Sequence, residues 1–116
     1  METKLNILEQ AIISEIIKFN EEQYPFIKDH FFYLIVKSRE NTGVGMYINF
    51  DYLPVINSLI SFEEDIILSS NKGLEIDVLE YGLNYELNIT KGKIDFLELV
   101  TNGEFWDGSF SKFRFE

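Results

Sequence analysis

The sequence has no cysteine and only one histidine, His30. The absence of cysteine excludes disulfides, thiolate metal ligands and a cysteine nucleophile. A single histidine excludes a two-histidine metal site within one chain and leaves one imidazole for acid–base chemistry. His30 begins an apolar run and no nucleophile motif accompanies it, so a structural role is expected. We predict no catalytic residues, no metal site, no cofactor and no enzymatic activity, although a glycosidase that uses two carboxylates stays open.

Basic residues are also scarce. Ten Lys and Arg stand against 20 Asp and Glu, which gives a net charge of -10 over 116 residues. Binding to nucleic acid phosphates needs a basic surface, so a basic protein is the expected partner and nucleic acid is not. The richest apolar stretch, residues 5–19, is interrupted by polar residues, which excludes a membrane span and a signal peptide there. We expect one domain over residues 1–116, in the cytoplasm, with its oligomeric state open.

Two segments have the pattern of helices. Apolar residues at steps of three and four predict an amphipathic helix over residues 3–20. A second helix is predicted over residues 51–60, with Asp51 as its N-cap and Pro54 in its first turn, where the missing N–H costs little.

The remaining segments predict strands. Two aromatic and β-branched runs, 30–36 and 44–50, predict a hairpin with its loop at residues 39–43. Strict alternation or apolar character predicts further strands at 73–80, 83–90 and 94–101, with a bulge inside the last, while 66–69 fits either a strand or the end of the second helix. The fold class is therefore α+β: a mainly antiparallel sheet of about five or six strands with two helices packed on one face.

The negative charge is concentrated in the middle of the chain. Between residues 40 and 90, nine acidic residues face one lysine, which gives -8. Such a segment can be an ordinary solvated surface, a docking surface for a basic protein, or a calcium site, although no EF-hand loop is present. For the docking alternative we predict that Glu75, Asp77, Glu80 and Glu86 steer association.

Two turns combine aromatic and turn-forming residues. Asp107-Gly108 follows Trp106, and Tyr81 precedes Gly82. Trp106 can complete the core, or the turn can display it as an interface anchor, a role common for Trp and Tyr. The predicted partner-binding set therefore adds Tyr81, Trp106 and Asp107 to the four carboxylates.

The order of elements resembles a known group of proteins. The strand-to-helix segment VGMYINFDYLPVINSLI at 44–60, followed by strands at 73–80, 83–90 and 94–101, resembles small bacterial immunity proteins of contact-dependent growth inhibition and other polymorphic toxin systems. The resemblance is one of size, acidity and pattern over residues 31–116, without a signature motif. It implies a cytoplasmic protein that binds and neutralises one toxin domain, often a basic nuclease. The alternatives are an acidic mimic of nucleic acid that inhibits a DNA-binding enzyme, and a non-catalytic structural or oligomerising subunit.

Overall fold

The computed structural model describes residues 4–53 and 63–116. In these residues, two helices accompany a seven-stranded sheet in which every pairing is antiparallel, so the α+β prediction is confirmed. The helices are α1 (Ile7–Asn20) and α2 (Phe26–Phe31), and the strands are β1 (Leu34–Asn41), β2 (Gly45–Tyr52), β3 (Ile66–Leu68), β4 (Leu74–Ile76), β5 (Leu83–Thr90), β6 (Lys93–Thr101) and β7 (Phe113–Phe115).

Helix α1 confirms the helix predicted near the start of the chain. It begins at a capping box: the Asn6 side chain accepts from the Glu9 N–H, and the Glu9 carboxylate accepts from the Asn6 N–H, both at 2.8 Å. This exchange satisfies two backbone donors that the first helical turn leaves unpaired. The same Glu9 carboxylate is buried and takes two hydrogen bonds from Arg39 of β1, at 2.7 and 2.8 Å. The start of the helix is thereby fixed to the sheet.

The segment after α1 differs from the prediction. His30 and Phe31 were expected to begin a strand, but they end the one-and-a-half-turn helix α2. The next strand begins only at Leu34, and its hairpin with β2 turns at 42–44 instead of 39–43. Asp51 lies within β2, so the prediction that it is a helix N-cap is wrong. The rest of the predicted second helix, 54–60, lies outside the described residues.

The sheet has the strand order β1-β2-β6-β5-β4-β7, and β3 also pairs with β5. Strands β3 and β4 share one edge of β5: β3 lies beside residues 87–89, and β4 meets β5 only at the pair Leu74↔Leu83. The strand predicted over 73–80 is shorter than expected: β4 pairs with β7 over Leu74–Ile76, and the chain then turns, with the Leu79 N–H donating to the Ile76 carbonyl at 3.0 Å. Residues 66–69, which the sequence left undecided, contain β3.

The alternation within β5 and β6 divides the sheet into two faces. The predicted bulge is present in β6, where Asp95 has no partner in the register while Ile94 and Phe96 pair with Ile89 and Asn88. This extra residue lets Ile94 and Leu97 both point inward, which strict alternation would forbid.

The inner face of the sheet packs against α1 and α2 and forms the core. Helix α1 contributes Leu8, Ile12, Ile13 and Ile16, and the sheet contributes Ile48, Leu87, Leu97 and Leu99, among others.

A polar group within this core ties α2 to the sheet. The buried His30 ring lies 2.9 Å from the Tyr52 hydroxyl through Nδ1, and the Ile94 N–H donates to the same hydroxyl oxygen at 2.7 Å. The Tyr52 hydroxyl oxygen therefore accepts a hydrogen bond from the Ile94 N–H of β6, and the Tyr52 hydroxyl proton is available to His30. The geometry fits the structural role expected for the histidine.

Candidate protein-binding surface

One end of the sheet brings together three loops that the sequence places far apart. These are the β1–β2 turn at 42–44, the β4–β5 connection at 77–82 and the chain at 102–110 that leaves β6, and together we call them the loop end. Backbone hydrogen bonds join the first of these loops to the end of β6 and to the third loop: the Thr101 N–H donates to the Val44 carbonyl at 2.8 Å, and the Trp106 N–H donates to the Gly43 carbonyl at 2.9 Å. Five of the seven predicted partner-binding residues lie in these loops: Asp77, Glu80, Tyr81, Trp106 and Asp107.

Trp106 completes the core and is not displayed as an interface anchor. Its side chain is 2% exposed, and its indole N–H donates to the Ser109 carbonyl at 2.8 Å. The expectation that the Asp107-Gly108 turn displays the indole is thus corrected: the turn folds back beneath the ring so that the indole proton is satisfied. The neighbouring Phe105 instead is 79% exposed, as expected where successive side chains of an extended segment point to opposite sides.

The 77–82 connection is fixed by a carboxylate that sequence reasoning missed. Glu104 accepts from the N–H groups of Glu80 and Tyr81, at 2.8 and 2.9 Å, one on each carboxylate oxygen. The Asn102 side chain donates to the Tyr81 carbonyl at 2.7 Å. Tyr81 is held by its backbone while its ring is 63% exposed. The loop is therefore ordered without using the aromatic side chain that it presents, and no local sequence signal marks Glu104 for this contact.

Tyr81 and residues of strands β4 and β7 line an open groove of about 840 Å³. Glu75, Asp77, Glu80 and Tyr81 all line it, so four predicted residues converge on one concave surface. Two of these carboxylates are already engaged. Glu75 pairs with Arg114 at 2.6 Å, while Asp77 accepts from the Ser111 hydroxyl and from the N–H groups of Ser111 and Lys112.

These bonds change the acidity of the groups that make them. The hydrogen bonds from Ser111 and from the Lys112 backbone lower the pKa of Asp77 to about 2. The Glu75 carboxylate holds the pKa of Arg114 above its usual value. Asp107 is similar to Asp77, because hydrogen bonds from the Ser109 side chain and from the Ser109 N–H, the latter at 2.9 Å, lower the pKa of Asp107. Asp77 and Asp107 are therefore charged at neutral pH, and part of their capacity to accept hydrogen bonds is used within the protein.

Glu86 lies on the outward face of the sheet, away from the loop end. It was predicted to steer association together with Glu75 and Asp77, but β4 pairs with β5 at a single position, and the residue opposite Glu86 is Glu98 of β6. The register continues from Glu98 to Tyr47 and from Tyr47 to Glu40, so one row across four strands holds three carboxylates and a phenol. The Tyr47 hydroxyl hydrogen-bonds Glu98, and the pKa of Tyr47 is raised as a result. Like charges opposite each other in a sheet oppose folding.

A metal site and a membrane-spanning helix are both absent from the described residues. Among residues 4–53 and 63–116 there is no group of three or more His, Asp or Glu side chains placed to hold a metal ion. No helix in those same ranges has the length and apolar character needed to cross a membrane. Comparisons with protein-family models, curated proteins and solved structures find no match to this chain.

Proposed function

We propose that this protein is an immunity protein that binds a basic toxin domain, such as a nuclease, in the cytoplasm and neutralises it one to one. The observation that carries the proposal is the composition of the loop end. Its three loops contain four acidic residues, Asp77, Glu80, Glu104 and Asp107, and no lysine, arginine or histidine.

The loop end is also ordered before any partner binds. Glu104, Asn102 and Trp106 make hydrogen bonds from one loop to another, Asp77 ties its loop to Ser111 and Lys112, and Asp107 accepts from the Ser109 N–H within its own turn. A preformed surface loses less conformational entropy on binding than a mobile one does. Tight association with a single partner is what an inhibitor of this class requires.

The charge of the molecule supports the same proposal. At -10, the protein attracts a basic domain over distances of about the Debye length, ~8 Å at physiological salt, and this attraction speeds encounter. The outward row of Glu40, Glu98 and Glu86 extends the negative field beyond the loop end.

The direct test is titration of the purified protein with the protein encoded immediately upstream of its gene, by calorimetry and by an assay of that protein's toxicity. We expect a one-to-one complex and loss of toxic activity at equimolar ratio. No complex at micromolar concentration, or a complex that leaves the activity intact, would contradict the proposal.

A further inference from the structure

We propose that Phe105 and Tyr81 are the two anchors by which the loop end docks, each entering an apolar recess on a basic protein domain. This inference rests on the proposed function and specifies which residues of the loop end carry its binding energy. It follows from the exposure and the support of these two side chains.

The first observation is the apolar surface that the loop end presents. Four of its large hydrophobic side chains are exposed: Val44, Val78, Tyr81 and Phe105, at 48%, 50%, 63% and 79%. They come from all three loops, which the hydrogen bonds described above hold together. Apolar side chains grouped in this way, and rimmed by polar residues, are typical of protein interaction sites.

The second observation is that hydrogen bonds fix the backbone that carries both rings, whereas the rings themselves take no part in these bonds. Tyr81 is held through its N–H by Glu104 and through its carbonyl by Asn102. Phe105 lies between Glu104 and the buried Trp106, both of which are tied to other loops. Aromatic anchors on a rigid support give most binding energy per residue, because little entropy is lost when they are buried.

The third observation, the charge of the loop end, determines which kind of partner fits it. The three loops that carry these rings contain four acidic residues and no compensating base. A neutral or acidic partner would bury those carboxylates without a counter-charge, at a cost. A basic domain supplies the charge, and its apolar recesses receive the rings. Self-association through two acidic loop ends is disfavoured by the same argument.

The test compares three alanine variants for binding to the basic protein encoded upstream. Phe105→Ala and Tyr81→Ala should each raise Kd by about 30-fold, mostly through faster dissociation. The matched control is Phe32→Ala, because Phe32 is equally exposed, at 80%, but follows α2 and is remote in sequence from the three loops. It should bind as the unaltered protein does.

The three variants should share one thermal unfolding midpoint, since all three side chains are mostly exposed. Two results would overturn the inference while leaving the proposed function intact: normal affinity in both loop-end variants, or an equal loss in Phe32→Ala. Absence of binding by the unaltered protein would overturn the proposed function and this inference together. A Tyr47→Ala variant, on the outward sheet face, adds a further distinction. If it alone weakens binding, the partner docks on that face and the inference is wrong.

Discussion

At the scale of the residue, the contacts of Tyr52 have a consequence for alkaline stability. Burial raises the pKa of Tyr52 to about 12, while the backbone hydrogen bond from Ile94 acts in the opposite direction. In the unfolded chain the phenol has its ordinary pKa of about 10. Between these two values the unfolded chain has lost a proton that the folded protein keeps. The stabilisation is therefore complete below about pH 10 and falls as the pH rises toward 12.

This reasoning gives a measurable difference between two proteins. We expect the free energy of unfolding, measured in urea from about pH 8 to pH 11.5, to fall steeply above about pH 10. A Tyr52→Phe variant should be less stable at neutral pH, because the His30 ring and the Ile94 N–H lose their shared partner. Its stability should nevertheless depend less on pH above about 10. Equal slopes in the two proteins would show that another group causes the alkaline loss.

The sequence does not predict which side chains at the loop end are buried and which are exposed, and the reason is physical. The sequence places Phe105 and Trp106 side by side, and extended geometry predicts that one points in and the other out. Which one is buried depends on where the indole proton finds an acceptor, and that acceptor is a carbonyl three residues later in a folded turn. Glu104 is a similar case, because its partners are backbone N–H groups more than twenty residues away in the chain.

At the scale of the element, the contact between α1 and β1 depends on one ion pair. Glu9 is almost fully buried and uses its carboxylate both to cap α1 and to accept two bonds from Arg39. An Arg39→Ala substitution leaves a buried carboxylate without its charge partner. We expect the free energy of unfolding to fall by about 2 kcal/mol.

The suitable comparison is Arg114→Ala, which removes an arginine whose ion pairs with Glu75 and Glu116 are exposed. Exposed pairs contribute little to stability, so this variant should unfold close to the unaltered protein in urea. If both arginine variants lost the same stability, the tie between α1 and the sheet would not be the cause.

Elements with a strong period could be predicted, whereas those set by distant partners could not. Helix α1 and strands β5 and β6 follow from the steps of apolar residues and from alternation, and each agrees closely with the structure. Helix α2 has six residues and no side-chain cap, so no sequence signal marked it, and its last two residues, His30 and Phe31, were assigned to the aromatic and β-branched run that follows. Strand β4 has only three residues because the chain turns after Ile76, where the Asp77 carboxylate accepts from backbone N–H groups of Ser111 and Lys112, more than thirty residues away.

At the scale of the whole molecule, the excess of acid predicts how association depends on salt. The rate of association with a basic partner should fall as sodium chloride is raised, because screening weakens long-range attraction. A double variant, Glu80→Gln with Glu86→Gln, should associate more slowly at low salt and show a shallower salt dependence. Its control, Glu21→Gln with Glu22→Gln, removes the same charge from exposed residues just after α1.

Stopped-flow measurement of the two double variants separates local from global charge. If the control pair slows association as much as the pair that includes Glu80, net charge alone governs encounter and the position of the carboxylates does not matter. If neither variant changes the rate, the attraction is not electrostatic.

The pairing of β2 with β6 also governs how the chain can fold while it is being made. Gly45 pairs with Val100, so the second strand waits for most of the remaining chain before its neighbour exists. At about 5–20 residues per second, ribosomal synthesis of that interval takes roughly 3 to 11 seconds. During this time the edge of β2 that pairs with β6 lacks its partner strand. Unpaired strand edges are prone to aggregation, so we expect the nascent chain to be a substrate for chaperones at this stage.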